Sequence, residues 1–181
     1  MKITQHVCND NGQIDSCVSE EVLSLRKLLE SIDGFSRGSK TASQVIKEAL
    51  DPVFQTAGWD RKHLVSRKFP VQEVPAANYY IDWQKKFPCR HEDMSHVLSF
   101  EYCFDNRQAI GTNLLKLATA EKQVGAQYNH MGIILTGTKQ ALKVLGWDGG
   151  VATSEEYWNA VEHGYRQSLR LPLIILSINL N

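Results

Sequence analysis

Val97-Leu98-Ser99-Phe100-Glu101-Tyr102-Cys103-Phe104 is an apolar, aromatic-rich run with one carboxylate in its middle. A short run of this kind predicts a strand. Positions two apart on a strand share a face, so Glu101 and Cys103 point one way and Tyr102 the other. Glutamate is rarely buried without a partner, which leaves two accounts of Glu101. In one, it lies on the solvated face of an edge strand, opposite Lys85 or Lys86. In the other, it is held inside for its chemistry.

Working outward, Asn78 to Trp83 has strand composition, and Phe87 to Ser95, which contains Pro88, reads as a turn. Downstream, Ile110, Leu114, Leu115 and Leu117 mark a helix over Gln108 to Glu121. Met131 to Leu135 predicts a buried strand, Lys139 to Leu145 a short helix, and Gly146 to Gly150 a loop. Ser154-Glu155-Glu156 opens a helix ending near His163-Gly164, and Leu171 to Ile178 is the last core strand. Upstream, Met1 to Ile14 is a short strand or arm. Ser19-Glu20-Glu21 starts a helix whose apolar positions run from Val22 to Ile32, with Asp33-Gly34 as its stop. A second helix spans Ala42 to Gly58, and Pro52 within it predicts a kink or a break. Trp59 to Val74 is basic and mixed. This alternation predicts an α/β fold, a mixed β-sheet flanked by helices, as a single domain over residues 1–181.

The 181 residues can bury a sizeable core, and a hydrophobic content of 43% with 22% charged residues is ordinary for a globular chain. No apolar run reaches bilayer length, and Met1 to His6 lacks the apolar stretch of a secretory signal. Cys8, Cys17, Cys89 and Cys103 form no CxxC pair, which points to free thiols and a cytoplasmic location. The six histidines show no zinc-ligand spacing with cysteine. Trp59, Trp83, Trp147 and Trp158 are expected to pack rather than stack on bases. A formal net charge of zero does not itself suggest nucleic acid; the local field depends on where the charges sit.

Asp82 and Glu101, on neighbouring strands, can face each other across the ladder. Hard Mg²⁺ takes one or two carboxylates plus water and phosphate oxygens, and activates water for phosphodiester hydrolysis. An Asp and a Glu on adjacent strands also arise without such a role, with Asp82 capping a turn.

The stretches Ile81-Asp82-Trp83-Gln84-Lys85, Leu98 to Asn106, Asn113-Leu114-Leu115-Lys116-Leu117, Met131 to Leu135 with Lys139-Gln140-Ala141-Leu142, Ala57-Gly58-Trp59, Gly149 to Tyr157 and Leu171 to Leu176 occur in the order and spacing of a known family. Together they resemble the type II restriction endonucleases of the BamHI/BglII/BstYI group, of the PD-(D/E)xK nuclease superfamily, from about Ser39 to Asn181. The resemblance implies a restriction-endonuclease-like fold, Mg²⁺-dependent cleavage of double-stranded DNA at a short palindromic, GATC-centred site, a homodimer, and Asp82 and Glu101 as metal ligands. Asp93 or Glu92 is the rival first acid, and Glu73 is a candidate extra acid.

The third active-site position of that family, two residues after the Glu, is usually Lys, Glu or Gln. Here it is Cys103, and a neutral thiol neither binds Mg²⁺ well nor orients water strongly. Either another group does that work, or the chain is a DNA-binding relative with weakened or lost cleavage. For DNA contacts, the resemblance places Asn106 at base edges, with Arg107 and Gln108 beside it. Asp148 falls in the family's other reading loop, where it can accept from a cytosine amino group. Arg37, Ser39 and Lys40 are candidates for phosphate contacts. Asn106 and Asp148 are equally the turn residues of Asp105-Asn106 and Asp148-Gly149, and the basic loop around Arg37 is equally a solvated one. A rival unrelated to DNA is a thiol enzyme using Cys103 with a histidine such as His96.

Overall fold

A computed structural model describes residues 1–10, 14–32, 34–35, 40–66, 79–89, 94–125, 127–165 and 169–180. Its centre is a six-stranded mixed sheet. In chain order the strands are β1 (Lys2–Cys8), β2 (Asp60–Ser66), β3 (Tyr79–Pro88), β4 (Ser95–Tyr102), β5 (Tyr128–Gly137) and β6 (Leu173–Asn179). The helices are α1 (Ser16–Glu30), α2 (Ala42–Thr56), α3 (Ile110–Val124), α4 (Lys139–Val144) and α5 (Ser154–Asn159). Across the sheet the strands run β1-β6-β5-β4-β3-β2. β4, β5 and β6 are parallel, whereas β1 joins β6, and β2 and β3 join in turn, antiparallel.

Both faces of the central strands are buried, and alternate residues serve different cores. Ile133, Leu135, Ile174, Leu176 and Ile178 join Phe100, Tyr102 and Trp83 beneath the apolar stripes of α1 and α2. Ile134, Leu173, Ile175 and Cys103 face the other way, against Leu114 and Leu117 of α3 and Tyr157 of α5. β4 therefore lies inside the sheet, and Glu101 is 1% exposed rather than on a solvated edge. Lys85 pairs with Leu98 in the ladder and reaches back to Glu21.

Several expectations are corrected. Asp60–Ser66 is the edge strand β2, hidden in the sequence because Asp60, Arg61 and Lys62 break any apolar pattern; edge strands carry charge readily. β3 runs on through Phe87 and Pro88, so the turn starts later than expected. Helix α1 begins at Ser16, because Asp15 caps it with its side chain on the Val18 N–H, 2.9 Å. Of the kink or break expected at Pro52, the break does not occur: α2 is one helix with Pro52 in its second half. It is opened by a reciprocal Thr41–Gln44 capping box. α3 begins at Ile110 after a 3₁₀ turn, Arg107–Ala109, and α5 passes into a π-helical segment, Ala160–Tyr165. Trp59, Trp83 and Trp147 pack in the core, but Trp158 is 41% exposed. Cys8 and Cys103 are buried free thiols, whereas the sulfurs of Cys17 and Cys89 lie at bonding distance, with Cα atoms 5.6 Å apart. Among the described residues, no helix is long and apolar enough to cross a membrane.

Candidate active site at the β3–β4 fork

The β3–β4 ladder runs from Pro88↔Ser95 to Trp83↔Phe100 and ends there. One step further along the same register, Asp82 would stand opposite Glu101. At that point side chains take over from backbone pairing. The Asp82 N–H donates to Glu101 Oε1 at 3.3 Å, and the Tyr102 N–H donates to Asp82 Oδ2 at 3.0 Å. Each acid thus clasps the other's strand, and the fork fixes both carboxylates side by side.

Two lysines approach the pair from different helices. Lys116 of α3 makes an ion pair with Glu101 Oε2 and also donates to the Tyr80 carbonyl at 3.3 Å. Lys47 of α2 lies 3.9 Å from Asp82 Oδ1. Helix α2 is tied to the same strands by Asp51, which accepts from the Tyr102 hydroxyl at 3.3 Å and pairs with Arg61 at 2.5 Å.

Burial outweighs the pull of these cations on both acids. Burial, followed by the repulsion of Asp82, pushes the Glu101 carboxyl up to about 8, although Lys116 pulls it down. Burial likewise raises Asp82, against Lys47, the Tyr102 N–H and Lys116. One buried and one half-buried carboxylate, each disfavoured as an anion by desolvation, form a donor set that suits a hard divalent cation such as Mg²⁺.

Cys103 is buried beside the acid pair, close enough for Glu101, Lys116 and Asp82 to act on its thiol. It is 3% exposed, its sulfur accepts from Asn113 Nδ2 at 3.3 Å, and the same amide donates to the Tyr157 hydroxyl at 2.9 Å. Burial, then Glu101, pushes the thiol well above its ordinary range, so it stays a neutral thiol. His96 is no partner for it. That ring sits at the other end of β4, 3.1 Å from Asp15, so His96 and Cys103 are not brought together as the pair of a thiol enzyme.

The candidate DNA-contact residues divide. Asn106 Oδ1 accepts from the Gln108 N–H at 3.0 Å and caps the turn before α3. Arg107 bonds to Glu156 at 3.0 Å and to the Asp148 carbonyl at 3.2 Å, while its N–H donates to the Gly150 carbonyl at 2.7 Å. The turn after β4 and the 148–150 loop are thereby stitched together, just past the carboxyl ends of the parallel strands, where α/β folds place their ligands. Asn106, Arg107, Gln108 and Asp148 are all exposed. Lys40 is exposed and ion-paired with Glu48. Arg37 and Ser39 lie outside the described residues, as do Glu73, Glu92 and Asp93.

Lys116 and Lys47 were not singled out from the sequence. The available signal was Lys116 itself, a cation set between Leu114 and Leu117 on the buried side of α3. Nothing in the pattern around Lys47 marks it.

No protein-family model matches the chain, and no curated protein does. Among solved structures, the chain is similar to the BglII restriction endonuclease in complex with a DNA 16-mer. The TM-score is 0.65 at 13% identity, covering 100% of this chain and 78% of that one. Free BglII aligns more loosely, with a TM-score of 0.41 and 11% identity over 100% of this chain and 81% of that one. The similarity to the DNA-bound form shows the fold, a restriction-endonuclease-like α/β sheet.

Proposed function

We propose that this chain is a Mg²⁺-dependent endonuclease that hydrolyses double-stranded DNA at a short palindromic, GATC-centred site, in the manner of a type II restriction enzyme. The observation that carries this is the fork at which Asp82 and Glu101 meet beside a lysine from each flanking helix. Asp82 and Glu101 would hold the Mg²⁺, which supplies polarisation of a phosphoryl oxygen and a more acidic water.

Lys116 does the work that its relatives assign to the residue two after the glutamate. Its ammonium, held by Glu101 and the Tyr80 carbonyl, can donate a hydrogen bond to water or to a phosphate oxygen at the fork. It offers charge stabilisation without having to lose a proton. Cys103 keeps to packing, pinning α3 and α5 to β4 through Asn113. Arg107, Asn106 and the 148–150 loop form one exposed unit suited to approach a groove, and two such units related by a two-fold axis would match a palindrome.

The test is plasmid cleavage with Mg²⁺ and with EDTA, followed by run-off sequencing of digested random DNA. The expected result is discrete cuts with Mg²⁺ alone, by a particle of twice the 20.5 kDa chain mass by light scattering. Glu101→Ala should abolish cutting but keep DNA binding. Lys116→Gln should slow cutting by about 10²–10⁴-fold, and Cys103→Ala should still cut. Binding without cutting under any divalent metal would instead establish a DNA-binding relative that has lost catalysis.

A further inference from the structure

A second group of metal-ligand side chains lies at the opposite end of the β3–β4 hairpin. Asp15, Cys17, Cys89 and His96 each bring one ligand atom into a group whose members lie within 4.8 Å of one another. Three separate pieces of chain supply them. Asp15 and Cys17 come from the cap and first turn of α1. Cys89 directly follows β3, where its N–H donates to the Met94 carbonyl at 3.0 Å. His96 stands on β4, opposite Phe87, and its ring packs on that phenyl with centroids 5.3 Å apart.

The imidazole is the informative member. His96 is 0% exposed, and neither ring nitrogen makes a hydrogen bond. Its Nε2 is 3.1 Å from Asp15 Oδ2, close enough for charge attraction but off the hydrogen-bond line. Buried polar atoms without partners are uncommon, and an ion is one of their ordinary explanations. Asp15 divides its work: Oδ1 caps the helix on the Val18 N–H, leaving Oδ2 turned toward the histidine. A disulfide between Cys17 and Cys89 accounts for the two sulfurs alone. A shared cation accounts for all four donors at once.

We propose that Asp15, Cys17, Cys89 and His96 form a structural Zn²⁺ site. Two thiolates, one imidazole and one carboxylate make a closed four-ligand set of the tetrahedral kind that zinc prefers. Thiolates disfavour Mg²⁺ and Ca²⁺, which take oxygen ligands. Around one zinc with bonds of about 2.0–2.3 Å, the donors sit roughly 3.3–3.8 Å apart, within the 4.8 Å spread observed. The sulfurs separate to reach that spacing. The site lies at the far end of β3 and β4 from Asp82 and Glu101, so its role is to stitch the start of α1 onto the hairpin rather than to act on DNA. The histidine–cysteine spacing was unreadable in sequence because Cys17 and Cys89 are 72 positions apart.

The full chain, purified in reducing buffer with zinc and then desalted, should carry about one zinc by inductively coupled plasma mass spectrometry. All four cysteines should react with a thiol reagent once the protein is denatured in EDTA without reductant. His96→Gln and Asp15→Asn should each lower bound zinc severalfold. The asparagine keeps the helix cap, and circular dichroism verifies that both variants fold. Cys8→Ala should leave the zinc content unchanged. Co²⁺ added to the metal-free protein should show the absorption of a tetrahedral thiolate site. The proposal is overturned if only two thiols react and the reduced protein still takes up no metal, which is a plain disulfide. It is equally overturned if four free thiols appear with no stoichiometric zinc, or if folded His96→Gln and Asp15→Asn retain zinc in full.

Discussion

At the residue scale, Glu101 was legible and Lys116 was not, for a physical reason. A carboxylate inside a buried strand conflicts with its own neighbourhood, and such a conflict shows in one line of sequence. The cation that answers it arrives from a helix, and helix lysines are ordinary wherever one face meets water. The cost of holding Glu101 inside leads to a pH prediction. Its carboxyl lies near 4.5 when free of the fold and is pushed up to about 8 in the folded chain. The folded state therefore binds a proton that the unfolded state releases between those values. The associated stabilisation is complete below about 4.5 and is lost as pH rises through about 8. In EDTA, the melting temperature should fall between pH 5 and 8 more steeply for the native chain than for Glu101→Gln. Parallel curves would show that Glu101 is already ionised across this range. Because a metal needs the ionised carboxylate, Mg²⁺ affinity should rise over the same interval.

At the element scale, the central strands and the helix after β4 were readable from apolar runs and helical spacing. Strand β2 was not, since Asp60, Arg61 and Lys62 carry no apolar alternation and its pairing with β3 is a long-range fact. Gly132 shows how an element positions the site. It lies on β5 beneath α3, where an added Cβ would come 2.9 Å from Leu171 and Leu173 side-chain carbons and 3.2 Å from one of Leu117. Its lack of a side chain allows α3 to lie close on the sheet, and α3 carries Lys116 toward Glu101. Gly132→Ala should cost about 1–3 kcal/mol of stability in urea unfolding, the usual range for overpacking a core. Under conditions where the variant is still folded, its DNA-cleavage rate should fall as α3 is pushed away. An unchanged rate in a destabilised variant would mean that Leu117 and the leucines of the 171–173 segment yield while Lys116 stays in place.

At the scale of the whole molecule, the formal charge is zero, so no overall positive field draws the chain to DNA. Under the proposed function, affinity would come from local cations set against phosphates, and each such contact would leave a mark in the salt dependence of binding. Lys47 is the sharpest case. It projects from α2 toward the acid fork, its side chain is 39% exposed, and 3.9 Å separates it from Asp82, beyond a direct hydrogen bond. A lysine so loosely held can turn to a phosphate entering the fork, and it would there offset the repulsion between DNA and the paired carboxylates. Its task would then be positioning rather than reading sequence. Measured on the non-cutting Glu101→Ala background, adding Lys47→Ala should weaken binding to matched and mismatched duplexes alike. It should also make the plot of log affinity against log salt shallower by about one unit. If the slope stays the same while cleavage by the otherwise native chain is lost, Lys47 serves Asp82 rather than DNA. Phosphate binding would then fall to Arg107, which is 47% exposed and ion-paired with Glu156.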